Sequence, residues 1–250
     1  MKSLMLKAAK DAGKVLMKHY GKVKYVTEKD NKSYFTNVDL ESEKLIISAI
    51  RKKFPGHNII SEESENLDKK SEYTWYIDPL DGTHNYIHNF PLFGVSIALA
   101  HKGQMILGAI NLPYFNELYF AEKGRGAFLN GKRIRVSSQK NIKRAFVVTD
   151  LALRYRPEEK MRMINKLKGN VYDLRHLGCA VYDYAMVARG SADAYITNYT
   201  NPWDAAAGAL IVEEAGGKVT DFNGRRWSAD MSRFVSSNGK MHGQLLKILR

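Results

Sequence analysis

A single cysteine, Cys179, stands among the 250 residues of the chain. No internal disulfide can form, which excludes the framework of a small secreted protein and sets the expectation of a reducing, cytoplasmic compartment. Long apolar runs are missing too. The longest stretch without a formal charge, residues 82–101, carries Thr83, His84, Asn85, His88, Asn89, Pro91 and Gly94, which is too polar and too broken for a bilayer helix. The first twenty residues contain Lys2, Lys7, Lys10, Lys14 and Lys18, so they lack the unbroken apolar region of a secretion leader and no membrane partner is expected. There is no internal repeat and no low-complexity tract. Acidic residues are in short supply, with 26 Asp+Glu against 39 Lys+Arg and a net charge of +13.

What is present is ordinary globular material, 44% hydrophobic and 26% charged, which excludes disorder and collagen-like sequence. The length fits one large domain or two coupled halves. The segment Ser137–Asn141 is the natural boundary, dividing an N-terminal half (1–140) from a C-terminal half (141–250). The surplus of positive charge raises the question of a nucleic-acid partner. Its densest stretch, residues 132–144, has six basic residues and no acid. No zinc-ligand spacing or aromatic RNA-binding motif accompanies it, so a solvated surface is the simpler reading and nucleic acid stays open as a partner.

Helical periodicity marks the N-terminus, where Leu4, Met5, Ala8, Ala12, Val15 and Leu16 share a face, and again residues 39–54, with Thr36 and Asp39 offering capping oxygens. Strands are predicted at 58–61, 74–77, 95–101 and 105–110. A further hairpin is expected across 118–120 and 127–136, turning at Asn130-Gly131. In the second half, strands at 145–149 and 194–197 alternate with helices at 157–167, 178–189, 203–215 and 242–249. Mixed elements in both halves predict an α/β or α+β layered sandwich.

The acids, though few, are unevenly placed: seven of the 26 lie between Glu62 and Asp81. Glu62 and Glu63 follow a predicted strand, Asp78-Pro-Leu-Asp-Gly-Thr83 follows another, and Trp203-Asp204 opens a helix. Proline after Asp78 biases that residue to an extended conformation and is expected to end the strand there. Two carboxylates three residues apart across the ensuing turn can converge on one point, with the Leu80 carbonyl alongside. Convergent carboxylates repel one another unless cations join them. All-oxygen donors favour Mg²⁺ over zinc. Gly82 lets the backbone approach a ligand closely, and amides at a helix start beside Thr83 suit a phosphate. Taken singly, Asp78 and Asp81 read equally as turn formers and Asp204 as a helix cap.

Taken together, these motifs resemble the inositol monophosphatase superfamily of Mg²⁺-dependent, lithium-sensitive sugar phosphatases. Glu62-Glu63 is followed after fourteen residues by Asp78-Pro-Leu-Asp-Gly-Thr83, and Trp203-Asp204 after eleven by Gly216-Gly217. The segments Ala127-Phe-Leu-Asn-Gly-Lys132 and Arg175-His-Leu-Gly-Cys-Ala180 extend the similarity over nearly the whole chain. The resemblance implies an αβαβα sandwich, a homodimer and metal-assisted in-line hydrolysis of a small phosphorylated sugar or polyol, such as myo-inositol 1-phosphate or fructose 1,6-bisphosphate. It implies that Glu62, Asp78 and the Leu80 carbonyl hold a first Mg²⁺, and that Asp78, Asp81 and Asp204 hold a second. A third weaker ion is implied near Glu62, and Mn²⁺ as a substitute.

By the same resemblance Glu62, Asp78 and Thr83 are catalytic. Substrate contacts are expected at Asp81, Gly82, Thr83, Arg175, Gly178, Cys179, Ala180 and Thr197. Thr197 stands where animal relatives have an inositol-binding glutamate, which argues against strict inositol specificity. Ser33 stands where a water-activating aspartate is expected, so Asp30 or Glu62 is expected to take that role. Alternatives on the same fold are a 3′-phosphoadenosine 5′-phosphate phosphatase and a basic regulator that binds RNA or RNA polymerase.

Overall fold

The computed structural model describes residues 1–23, 25–28 and 34–250. Ser33 and Asp30 lie outside the described residues.

Helix α1 (Lys2–His19) buries Met5, Ala8, Ala9, Ala12 and Leu16 along one stripe and turns its lysines to solvent. Strands β1 (Val26–Glu28) and β2 (Tyr34–Thr36) pair antiparallel as a separate small sheet. Helix α2 (Asn37–Lys53) starts at a capping box, in which Thr36 Oγ1 accepts from Val38 N at 3.0 Å and Thr36 N donates to Asp39 Oδ2 at 2.8 Å.

A seven-stranded sheet follows, built from β3 (Asn58–Ser61), β4 (Tyr73–Asp81), β5 (Gly94–His101), β6 (Gln104–Leu112), β7 (Glu117–Glu122), β8 (Gly126–Leu129) and β9 (Lys132–Arg133) in sequential order. Only β3 and β4 run parallel. The short helix α3 (Thr83–Ile87) connects β4 to β5. The rest of the chain contains β10 (Phe146–Thr149), α4 (Pro157–Leu167), β11 (Asp173–Arg175), α5 (Ala180–Ala188), β12 (Ala194–Thr197), α6 (Pro202–Glu214), β13 (Lys218–Thr220), β14 (Phe234–Ser237) and α7 (His242–Leu249). Its five strands form a second sheet in the order β11-β10-β12-β14-β13.

Side-chain alternation along the strands sorts these elements into layers. On β4, Trp75 and Ile77 face a core shared with α1 and α2, whereas Tyr76 faces the opposite way into a core with α5 and α6. On the second sheet, Val148, Tyr195 and Phe234 enter that same central core, and their neighbours Val147, Ile196 and Val235 face Met163, Leu167, Leu245 and Leu249 of α4 and α7. The result is the expected αβαβα sandwich, with α5 and α6 sealed between two sheets.

One sequence expectation is corrected. Strand β4 does not stop at Asp78. It pairs on as far as Asp81 opposite Gly94, with a register shift after Asp78–Ser96. Pro79 falls within that irregularity, where no ladder donor is required of it, and its carbonyl accepts from Ser42 Oγ at 2.9 Å. The turn expected at Asn130-Gly131 within 127–136 forms. Asn130 and Gly131 both adopt positive φ, 49° and 80°, and this tight turn folds β9 back on β8.

Candidate active site

A cavity of about 510 Å³ opens where the ends of β4, α3, α5 and α6 meet. Its floor is acidic. Glu62, Asp78, Asp81 and Asp204 all line it, with Leu80, Gly82 and Thr83 between them. Backbone amides hold the three aspartates in place. Asp78 Oδ1 accepts from Leu80 N at 3.0 Å, across the Pro79 bulge. Asp204 is the third residue of α6 and completes its capping box, with Oδ2 accepting from Asn201 N at 2.9 Å. Cap and cavity roles therefore coexist in this residue. Asp81 Oδ2 accepts from Val181 N at 2.7 Å and lies 3.2 Å from Cys179 Sγ.

Burial and mutual repulsion set the chemistry of this floor. Burial foremost, then Glu62, Asp81 and Asp204, push Asp78 well above the usual carboxylate range. Burial and the charges of Glu62 and Asp81 raise Asp204 likewise. Asp81 is raised to about 6, again chiefly by burial, against the lowering hydrogen bonds of Val181 and Cys179. Such a set demands neutralisation, by protons or by cations. Among the described residues no three acidic, histidine or cysteine side chains already stand in a metal-holding arrangement. The fit lies in donor chemistry, since clustered carboxylate and carbonyl oxygens with unmet negative charge suit a hard divalent ion.

Asp39 was legible in the sequence only as a cap, and it does more. It is fully buried, and burial raises it to about 6 against the hydrogen bonds from Thr36. Thr83 Oγ1 lies 3.4 Å from Asp39 Oδ1 and 2.9 Å from the Leu80 carbonyl oxygen, so its proton can turn to either. Among the described residues the acid beside the motif threonine is thus Asp39.

Gly82 caps α3 with φ +82°, and a Cβ there would sit 2.7 Å from the Leu92 carbonyl oxygen and 3.2 Å from Cys179 Cβ. Only glycine lets these segments approach so closely. Gly178, Cys179 and Ala180 line the cavity as expected. Burial pushes the Cys179 thiol well up, so it is a hydrogen-bonding thiol, not a nucleophile.

Two expected substrate contacts do not reach the cavity. Arg175 is turned outward, paired with Asp173 and lying over Phe146, and the adjacent His176 lines the wall instead. Thr197 is buried on β12, and its hydroxyl donates to the Tyr199 carbonyl at 2.9 Å. Sequence reasoning missed Asp183, a fully buried cavity residue of α5 whose Oδ1 has no hydrogen-bond partner among the described residues; burial, then Asp81 and Asp150, hold it well above the carboxylate range. It also missed the outer wall of Ala152, Arg154, Tyr155 and Tyr199 facing His84. No local motif marks those residues, because distant segments supply them.

A family profile decides the relationship: that of the inositol monophosphatase family matches residues 1–250. The chain belongs to this family. It is 38% identical over 245 residues to a fructose-1,6-bisphosphatase/inositol-1-monophosphatase of Thermotoga maritima, covering 98% of this chain and 93% of the relative. It is also 38% identical over 259 residues to the Nus factor SuhB of Pseudomonas aeruginosa, covering 100% and 96%. A solved inositol monophosphatase (IMPase) from Thermotoga maritima superposes with a TM-score of 0.92 at 36% identity, covering 100% of this chain and 97% of that one. The protein is therefore a phosphatase of this family, a hydrolase. No helix among the described residues is long and apolar enough to cross a membrane.

Proposed function

We propose that this member of the family is a Mg²⁺-dependent phosphomonoesterase acting on a small sugar or polyol phosphate, myo-inositol 1-phosphate or fructose 1,6-bisphosphate. The observation that carries the reading is the set of acids Asp78, buried, and Asp81 and Asp204, partly buried, beside the Thr83–Asp39 pair in one cavity. Glu62, Asp78 and the Leu80 carbonyl would hold one ion, and Asp78, Asp81 and Asp204 another. Bound there, the cations supply neutralising charge for the phosphate and acidity for water. Thr83 Oγ1 faces the phosphate position and accepts a proton from the attacking water while passing its own to Asp39, which is buried and poised near neutrality. The opening amides of α3, at Gly82 and Thr83, have no partners within the helix and suit phosphate oxygens. Mn²⁺ substitutes for Mg²⁺, and the enzyme works as a cytoplasmic homodimer.

Phosphate release from myo-inositol 1-phosphate, fructose 1,6-bisphosphate and 3′-phosphoadenosine 5′-phosphate, with Mg²⁺ and with chelator, tests this. Release confined to the adenosine compound moves the substrate class to nucleotides, and no release from any overturns the reading. The SuhB relatives and the exposed basic residues of the stretch 132–144 support a second reading, an RNA- or polymerase-binding regulator on the same fold. Specific RNA binding by an inactive Asp78→Asn variant in mobility shifts would establish it.

A further inference from the structure

Lys160 is a lysine with no exposed surface, on a helix in the outermost layer of the fold. A buried ammonium is costly unless fully paired, and an apolar residue of similar volume would pack there at less cost. Its partners show what it holds. Nζ donates to Asp150 Oδ2 at 2.7 Å and to the Ala152 carbonyl at 2.9 Å. Asp150 Oδ1 accepts from Ala152 N at 2.9 Å, and the same Ala152 carbonyl accepts from Tyr155 N at 3.0 Å, closing the turn. One ammonium thus ties the β10 end of the bend, at Asp150 and Ala152, back to α4. The usual means of fixing such an entry is missing, since Arg156 at the N-cap provides no side-chain cap and sits at φ +49°. The segment so held presents Ala152, Arg154 and Tyr155 as the outer wall of the cavity, and Arg154 bears electrostatically on His84 opposite.

We infer that Lys160 is a positioning residue for substrate choice. From behind the cavity it fixes the 150–155 segment as the wall against which the leaving alcohol rests, and it selects among substrates without touching them. The inference rests on the phosphatase reading above. The acidic floor is carried by the end of β3, by β4 and by the start of α6, so the wall can shift while the phosphate site stays in place.

The test compares wild type, Lys160→Met and the double variant Asp150→Asn/Lys160→Met, each with Mg²⁺. The substrates are myo-inositol 1-phosphate, fructose 1,6-bisphosphate and para-nitrophenyl phosphate, whose activated leaving group depends little on placement. For Lys160→Met the KM for the sugar and polyol phosphates rises about tenfold, while kcat/KM for para-nitrophenyl phosphate stays within about twofold. The double variant removes the uncompensated charge, so it regains thermal stability but keeps the raised KM. The inference is overturned if KM is unchanged in folded Lys160→Met protein, if all substrates decline in step, or if the double variant restores KM together with stability. Wild-type protein that hydrolyses none of the three overturns the phosphatase reading itself, a result distinct from any of these.

Discussion

Asp81 caps helix α5 from a hundred residues away: its Oδ2 accepts from Val181 N at 2.7 Å, while Cys179, the helix's own N-cap residue, provides no side-chain cap. One carboxylate therefore ties the end of β4 to the start of the helix between the sheets. Asp81→Ala removes the cap and should cost about 1 kcal/mol of stability, whereas Asp81→Asn keeps an acceptor oxygen and should cost little. Both should lose Mg²⁺-dependent turnover. Chemical denaturation of the two variants separates the roles, and equal stability in both would refute the capping contribution.

The buried acids make stability depend on pH and metal together. Asp39 and Asp81 are raised to about 6, and Asp78, Asp183 and Asp204 are raised further. An acid with a raised folded value stabilises fully below its unfolded value, and that contribution is lost as pH rises through the folded one. Chelated protein should therefore melt at lower temperature as pH rises from about 4.5 to 6.5, the interval that ends near the folded values of Asp39 and Asp81. His242, which burial lowers to about 4, binds a proton more readily when unfolded and so opposes that slope, one group against several acids. Mg²⁺ requires ionised carboxylates, so its stabilising increment should grow over the same range. Thermal melts with and without chelator check both slopes, and a chelated melting temperature that rose with pH would contradict the first.

The Thr83–Asp39 pair predicts a kinetic signature. Asp39→Asn should lower kcat about a hundredfold with little change in KM, because it removes a proton acceptor and not a binding contact. Asp39 is raised to about 6, so wild-type turnover should fall as pH drops through that region. The variant should lack this limb. A full pH–rate profile of both proteins decides the matter, and an unchanged acidic limb in the variant would remove Asp39 from the mechanism.

Gly82→Ala tests the close approach of α3 to its neighbours. A Cβ 2.7 Å from the Leu92 carbonyl oxygen, on backbone at φ +82°, meets main chain that cannot swing aside. The expected loss is about 1–3 kcal/mol, with turnover falling further because Thr83 moves with the turn. Retained stability and activity would show that this segment is more pliant than its packing indicates.

What the sequence made legible was local. The pair Asp78 and Asp81, with Gly82 and Thr83, stands in one short turn, and the helices over 157–167 and 242–249 match α4 and α7 to the residue because Pro157 and the apolar period mark them. Asp39 escaped because its second role depends on Thr83, 44 residues away, whereas its capping role is written in the neighbouring Thr36. Arg175 and His176 show the same limit at single-residue scale. Motif matching locates that strand end, but successive side chains point to opposite faces, and only the packed sheet shows that the histidine faces inward. Thr197 is correctly placed on its strand, yet its rotamer closes on a carbonyl two residues ahead.

The separateness of the three apolar cores has a consequence for how such a protein diversifies. The acids of the floor grow from elements rooted in the first and central cores, where a substitution disturbs packing on several sides. The 150–155 segment of the cavity wall is tied to α4, which belongs to the third. Exchanges in residues 150–156 can thus change which alcohol is released while the hydrolytic machinery stays intact. Selectivity and reactivity sit on separately heritable parts of one chain.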